Sequence, residues 1–212
     1  GREVRVAFEN PELLTAADPD YPAGGWNVVL DGNGRVRIAE TVENAENAGI
    51  GLAGQYGLGG DTMAQDGTFG YLFYESEADS SLFQTERAWV VTAQGRRGAL
   101  YALMTDYGFN DAEAADFADF WDAYLRRDAE YLFYPQTTEI IDVQMPLKVT
   151  PQPEHSFRLW FAVKECDPAD EAAAMRINTP EIVEKAVHDG YALTEWGVVF
   201  LSEEEFNACS RE

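Results

Sequence analysis

The segment from Met145 to Lys164 constrains the fold more than any other part of this chain. Leu147–Val149 reads as a short strand, Pro151-Gln-Pro153 as a stiff corner and Phe157–Lys164 as a second strand. In that second strand Phe157, Leu159, Phe161 and Val163 share one face, while Arg158, Trp160 and Lys164 share the other. The pattern specifies architecture rather than chemistry.

The rest of the chain supplies the elements that must pack around it. Val4, Val6 and Phe8 alternate with polar residues as in an edge strand, and Pro11, Pro19 and Pro22 then break regularity. Residues 1–23 therefore read as an N-terminal lead-in to a single domain over 24–212. Trp26–Leu30 and Val36–Ile38 flank Asp31-Gly-Asn-Gly34, where Gly and Asn tolerate the positive φ of a tight turn, so a hairpin is expected. Residues 40–67 are rich in Ala, Asn and Gly and predict a long loop. Gly70–Glu75 and Ala88–Thr92 read as two strands of one antiparallel sheet.

Two helices follow. Leu100, Leu103, Met104 and Tyr107 recur at helical spacing, and Gly108 sits where a left-handed residue ends a helix. Asn110 with Glu113 has the spacing of a capping box; beyond it Ala114, Phe117, Trp121 and Tyr124 face inward and Asp116, Asp119 and Asp122 outward. Strands are predicted at Tyr131–Tyr134, Glu139–Val143, Leu147–Val149, Phe157–Lys164 and Tyr191–Leu201, and Ser202 with Glu205 caps a final short helix. Strands on both sides of a helix pair, without βαβ alternation, define an α+β fold: mainly antiparallel sheet or sandwich with a helical hairpin packed on it.

Charge narrows the partners. A formal net charge of -23 repels nucleic acid phosphates and anionic lipid headgroups, which leaves a cation or a positively charged partner as the electrostatic complement. No apolar run approaches the roughly 18 residues that a membrane-spanning helix needs. The chain starts at Gly1 without an initiator Met, which reads as the loss of a signal or anchor segment. Cys166 and Cys209 suit one disulfide in an oxidising compartment or two free thiols, and their spacing fits no metal motif.

Each chemical motif has a simpler reading beside it. Gly49-Ile-Gly51-Leu-Ala-Gly54 has the spacing of a dinucleotide fingerprint, but Glu43-Asn-Ala-Glu-Asn precedes it where a buried strand is required, so no cofactor is expected. His155 in the proline corner and His188 at an expected helix end are the only histidines, and no metal site is predicted from them. Asp31-Gly-Asn-Gly34 lacks the later ligands of a calcium loop and reads as a turn. Glu195 interrupts an otherwise apolar strand and must be solvated or paired; Arg158 interrupts its own strand and is the natural partner if the two strands are neighbours.

Gly25-Trp26-Asn27-Val28, Tyr71-Leu-Phe-Tyr-Glu75, the helical stretch Leu100–Tyr124, Pro151-Gln-Pro153 with Arg158, and Glu195-Trp-Gly197 follow one another in a distinctive order. In that order they resemble an uncharacterised family of secreted or lipid-anchored Gram-positive bacterial proteins. The likeness runs from about Gly24 to Gly197 and departs from the pattern at Gly49–Gly60, Asp122 and Val198. It implies an extracytoplasmic, secreted or surface-anchored location and no particular reaction.

The expectation is thus a non-catalytic cell-envelope domain that binds a protein or glycan through exposed aromatics. Trp26, Trp89, Trp160 and Trp196, with Arg158 and Glu195, are the candidate binding residues. The alternative is a glycan or cell-wall hydrolase with Glu75 and Glu195 as paired carboxylates, since both punctuate aromatic strands.

Overall fold

The computed structural model describes residues 1–32, 34–39, 67–166 and 178–209. It is an α+β protein of ten strands and four helices, with every strand pair but one antiparallel among the described residues. Its contacts gather into two compact units, residues 1–78 with 142–153 and residues 79–141 with 154–212. The corner Pro151-Gln-Pro153 is one of the places where the chain leaves the first unit for the second.

The first unit holds a four-stranded antiparallel sheet in the order β4-β3-β1-β8, built from β1 (Arg2–Phe8), β3 (Trp26–Leu30), β4 (Val36–Ile38) and β8 (Leu147–Thr150). A ribbon of β2 (Leu14–Asp18) and β5 (Phe73–Ser76) completes it. The β3–β4 hairpin forms as read, with Gly34 at φ +78° and Asp31 Oδ1 accepting from the Arg35 amide at 3.0 Å. β1 departs from the edge-strand reading, because β3 and β8 pair on either side of it. Alternation reports that one face of a strand is covered, whereas the number of its neighbours is a non-local property. The unit's core gathers Phe8, Tyr21, Trp26 and Tyr74, with the Phe8 amide donating to the Tyr21 hydroxyl at 2.9 Å and Trp26 Nε1 donating to the Pro19 carbonyl at 2.9 Å.

The second unit holds a sheet in the order β10-β9-β7-β6: β6 (Trp89–Val91), β7 (Glu130–Gln136), β9 (His155–Cys166) and β10 (Ala192–Phe200). β5 and β6, expected in one sheet, thus belong to different ones. Helices α1 (Arg96–Asp106) and α2 (Asp111–Tyr124) cover one face, where Phe117, Trp121, Leu100 and Met104 meet Phe133, Phe157, Leu159, Phe161 and Val163. The capping box at α2 is formed, and Gly108 at φ +84° ends the preceding turn with no room for a Cβ, which would lie 2.7 Å from the Ala186 carbonyl oxygen. Tyr124, expected inward, is 46% exposed at the last turn of α2, and Ala118 takes the buried position instead.

Two further elements differ from the sequence reading. Residues 139–143, a β-branched run, fall within a helix, α3 (Thr138–Gln144). Ile141, Gln144 and Met145 are buried and Asp142 and Val143 exposed, which is helical spacing, and Pro146 stops the helix. β10 runs parallel to β9, a geometry that needs a long crossover and therefore leaves no turn signature. The final helix, α4 (Glu203–Cys209), opens on the expected Ser202–Glu205 reciprocal cap and sets Phe206 against Tyr134 on the sheet face opposite α1 and α2.

Candidate functional site

β9 is buried on both faces from Phe157 to Val163, so Arg158 emerges inside the protein rather than in solvent. A buried guanidinium needs an acceptor that matches its charge and its planar donor geometry. Parallel pairing puts Glu195 of β10 level with Arg158, and the two close a two-point contact: Nε to Glu195 Oε2 at 2.8 Å and an Nη to Oε1 at 3.2 Å. Trp160 Nε1 donates to the same Oε1 at 2.8 Å. The Arg158 side chain is 1% exposed and the Glu195 side chain 12%. Apolar interruption by one charge in each strand was therefore a true signal of a cross-strand pair.

Two residues make the arrangement possible. Gly197 sits level with Trp160, and a Cβ there would lie 2.7 Å from Trp160 Cδ1 and 3.0 Å from Nε1, so the indole lies where a side chain would otherwise stand. Thr138 closes the backbone on the other side: beyond the last β7 pair, Gln136 with Trp160, the Thr138 hydroxyl accepts from the Arg158 amide and donates to the Arg158 carbonyl, both at 3.1 Å. Thr138 opens the helix α3, and its only sequence signal is a hydroxyl at the start of a β-branched run ended by proline.

A second carboxylate links three segments. Glu113 Oε2 accepts from the Asn110 amide at 2.9 Å and lies 2.8 Å from His188 Nε2, while Oε1 accepts from the Thr194 hydroxyl at 2.6 Å. The capping residue of α2 thereby also ties β10 and the segment before it to the helix. His188 lies in an irregular stretch, not at a helix end as expected. Trp89 packs on the core with its Nε1 3.4 Å from the Tyr107 hydroxyl, and burial pushes that phenol's pKa up.

The tryptophans expected on the surface are not presented there. Trp26 and Trp160 are buried, and Trp89 and Trp196 are partly buried against the helical core, Trp196 edge-on to Phe117 at 5.3 Å between ring centroids. Glu75 belongs to β5 of the first unit and Glu195 to β10 of the second. His155 is exposed, and no disulfide joins Cys166 to Cys209. The Gly49–Gly54 motif lies outside the described residues, among which no group of three or more His, Cys, Asp or Glu side chains is placed to hold a metal ion. No described helix is long and apolar enough to cross a membrane. Neither a protein-family profile, nor a curated protein sequence, nor a solved structure matches this chain.

Proposed function

We propose that the chain is a non-catalytic interaction module of the cell envelope, working outside the cytoplasm on a protein ligand. One observation carries the reading: both oxygens of Glu195 are engaged by Arg158 and Trp160. The polar group that most suggests chemistry is spent on joining β9 to β10, and what it leaves outward is the strand itself. Burial of Trp26 and Trp160 removes the flat ring surfaces that sugar stacking uses, which favours a protein over a glycan. The envelope location rests on the resemblance from Gly24 to Gly197, and an acidic, highly charged chain of this composition is suited to it.

Incubating the purified chain with isolated cell walls and, separately, with immobilised envelope proteins tests the reading. Retention by the protein fraction without release of reducing sugar is expected. Release of reducing ends that falls in Glu75→Gln or Glu195→Gln overturns it in favour of a carboxylate-pair hydrolase. Retention by wall glycan alone overturns the choice of a protein ligand.

A further inference from the structure

We propose that the outer edge of β10 takes an extended, lysine- or arginine-rich segment of a partner protein as an added strand. The inference rests on the interaction-module reading and gives it a surface and a partner. β10 is nine residues long, and every one of them is half-buried. Among the described residues its stretch Trp196-Gly-Val-Val199 has β9 as its one strand neighbour. A sheet edge offers a row of backbone donors and acceptors, and proteins protect long edges with lysine, proline or a bulge.

β10 carries none of these: its sequence is Ala-Leu-Thr-Glu-Trp-Gly-Val-Val-Phe, its register with β9 runs unbroken from Ala192 to Phe200, and the charge of Glu195 is matched by Arg158. The opposite edge of the same sheet is handled differently. β6 is three residues long, and the Ala88 amide beside it donates to the Asn178 carbonyl at 3.1 Å.

Charge selects the occupant. Exposed Glu154 and Asp189 lie at the start of β10, where the Glu154 amide donates to the Tyr191 carbonyl at 2.7 Å. Exposed Glu204 follows its end, next to Glu203, which pairs with Lys164 at 3.1 Å. A chain of net charge -23 disfavours a second copy of itself at this edge and favours a cationic strand, whose alternate side chains reach acids beyond both ends.

The test is titration of the whole chain with three synthetic ten-residue peptides: alternating Lys-Val, the same peptide N-methylated at alternate residues, and alternating Glu-Val. Amide hydrogen exchange across Ala192–Phe200 is followed in each case. Binding of Lys-Val that slows exchange in β10, weakens with salt, and falls by about tenfold or more on N-methylation supports the proposal, because methylation removes strand hydrogen bonds while keeping the charge. Val199→Lys, checked for an unchanged circular dichroism spectrum, is expected to weaken the same binding.

Equal binding of the methylated peptide shows attraction by charge alone and overturns strand addition. Binding of Glu-Val, or dimers of the chain that protect β10 without peptide, overturns the cationic partner. Failure of all peptides while envelope proteins still retain the chain removes the β10 proposal and leaves the module reading standing; peptide binding without envelope retention does the reverse.

Discussion

Gly197 and Trp160 face each other across the parallel β9–β10 pair, and the indole occupies the space that a Cβ on residue 197 would need, 2.7 Å from Cδ1. The backbone at Gly197 is not left-handed, so glycine is required here for volume alone. Gly197→Ala must displace the ring and lengthen its hydrogen bond to Glu195. A loss of about 1–3 kcal/mol is expected from such overpacking. Urea denaturation measures it, and a shift of the Trp160 indole N–H resonance identifies its origin.

The Arg158–Glu195 pair separates two effects of a buried ion pair. Removing one partner leaves a buried charge without its complement, so Glu195→Gln or Arg158→Met is expected to cost about 3–5 kcal/mol. Replacing both, Arg158→Met with Glu195→Leu, removes the desolvation cost together with the attraction and is expected to be milder than either single change. Denaturation midpoints of the three variants check this. A double variant as unstable as the sum of the singles would show that the pair does not act as a unit.

Arg96 is a second buried cation with a different assignment. It opens α1 and is 3% exposed, yet its guanidinium donates to the carbonyls of Leu125, Arg126 and Ala129 at 3.2, 2.8 and 2.7 Å. These oxygens terminate α2 and the turn after it, where helix carbonyls lack intrahelical donors. Arg96→Met is expected to cost about 3 kcal/mol by stranding them. Faster amide exchange from Leu125 to Ala129 is the local signature to measure.

What the sequence revealed was whatever is decided within a few residues or by a charge in the wrong place. Asn110 with Glu113 and Ser202 with Glu205 open helices and Gly108 ends one; all three are local signals, and all three formed. Arg158 and Glu195 were legible because a charge in an apolar strand has to be satisfied. Their parallel pairing was not, since the connection from Cys166 to Ala192 is too long for any local turn, Asp189-Gly190 included, to fix the relative direction of the two strands. Ile140, Ile141 and Val143 prefer strands, and only burial at helical spacing overrides that preference. Gly197 and Thr138 act through residues distant in the chain, so a single sequence offers little to mark them.

Glu113 combines a cap with a tertiary tie, which two variants can distinguish. Asn110→Ala removes the side-chain acceptor of the Ala112 and Glu113 amides and is expected to cost about 1 kcal/mol, the usual value for a lost N-cap. Glu113→Ala removes the reciprocal bond to Asn110 and also the contacts to Thr194 and His188. It is expected to exceed the first loss and to speed exchange in β10 as well as in the first turn of α2. Equal losses, with β10 unaffected, would confine Glu113 to capping.

Cys209 offers a prediction in pH. Its single S–H is shared between two acceptors, the Ser80 carbonyl at 2.9 Å and the Glu205 carbonyl at 3.1 Å from the sulfur. Burial raises its pKa above the ordinary thiol range, and the nearby Glu205 and Asp79 carboxylates add to the rise. Because the folded state holds the proton more tightly than the unfolded chain, the contribution to stability is complete below the ordinary thiol pKa and is lost as pH rises through the elevated one. The thiolate is the reacting species, so at pH 8 alkylation of Cys209 by iodoacetamide should be slower than that of a free cysteine. Peptide mapping of the alkylated protein should show the rate climbing beyond pH 9 and approaching the free value in urea. A Cys209 that reacts at the free rate in the folded protein at pH 8 would mean that α4 does not hold it against Ser80.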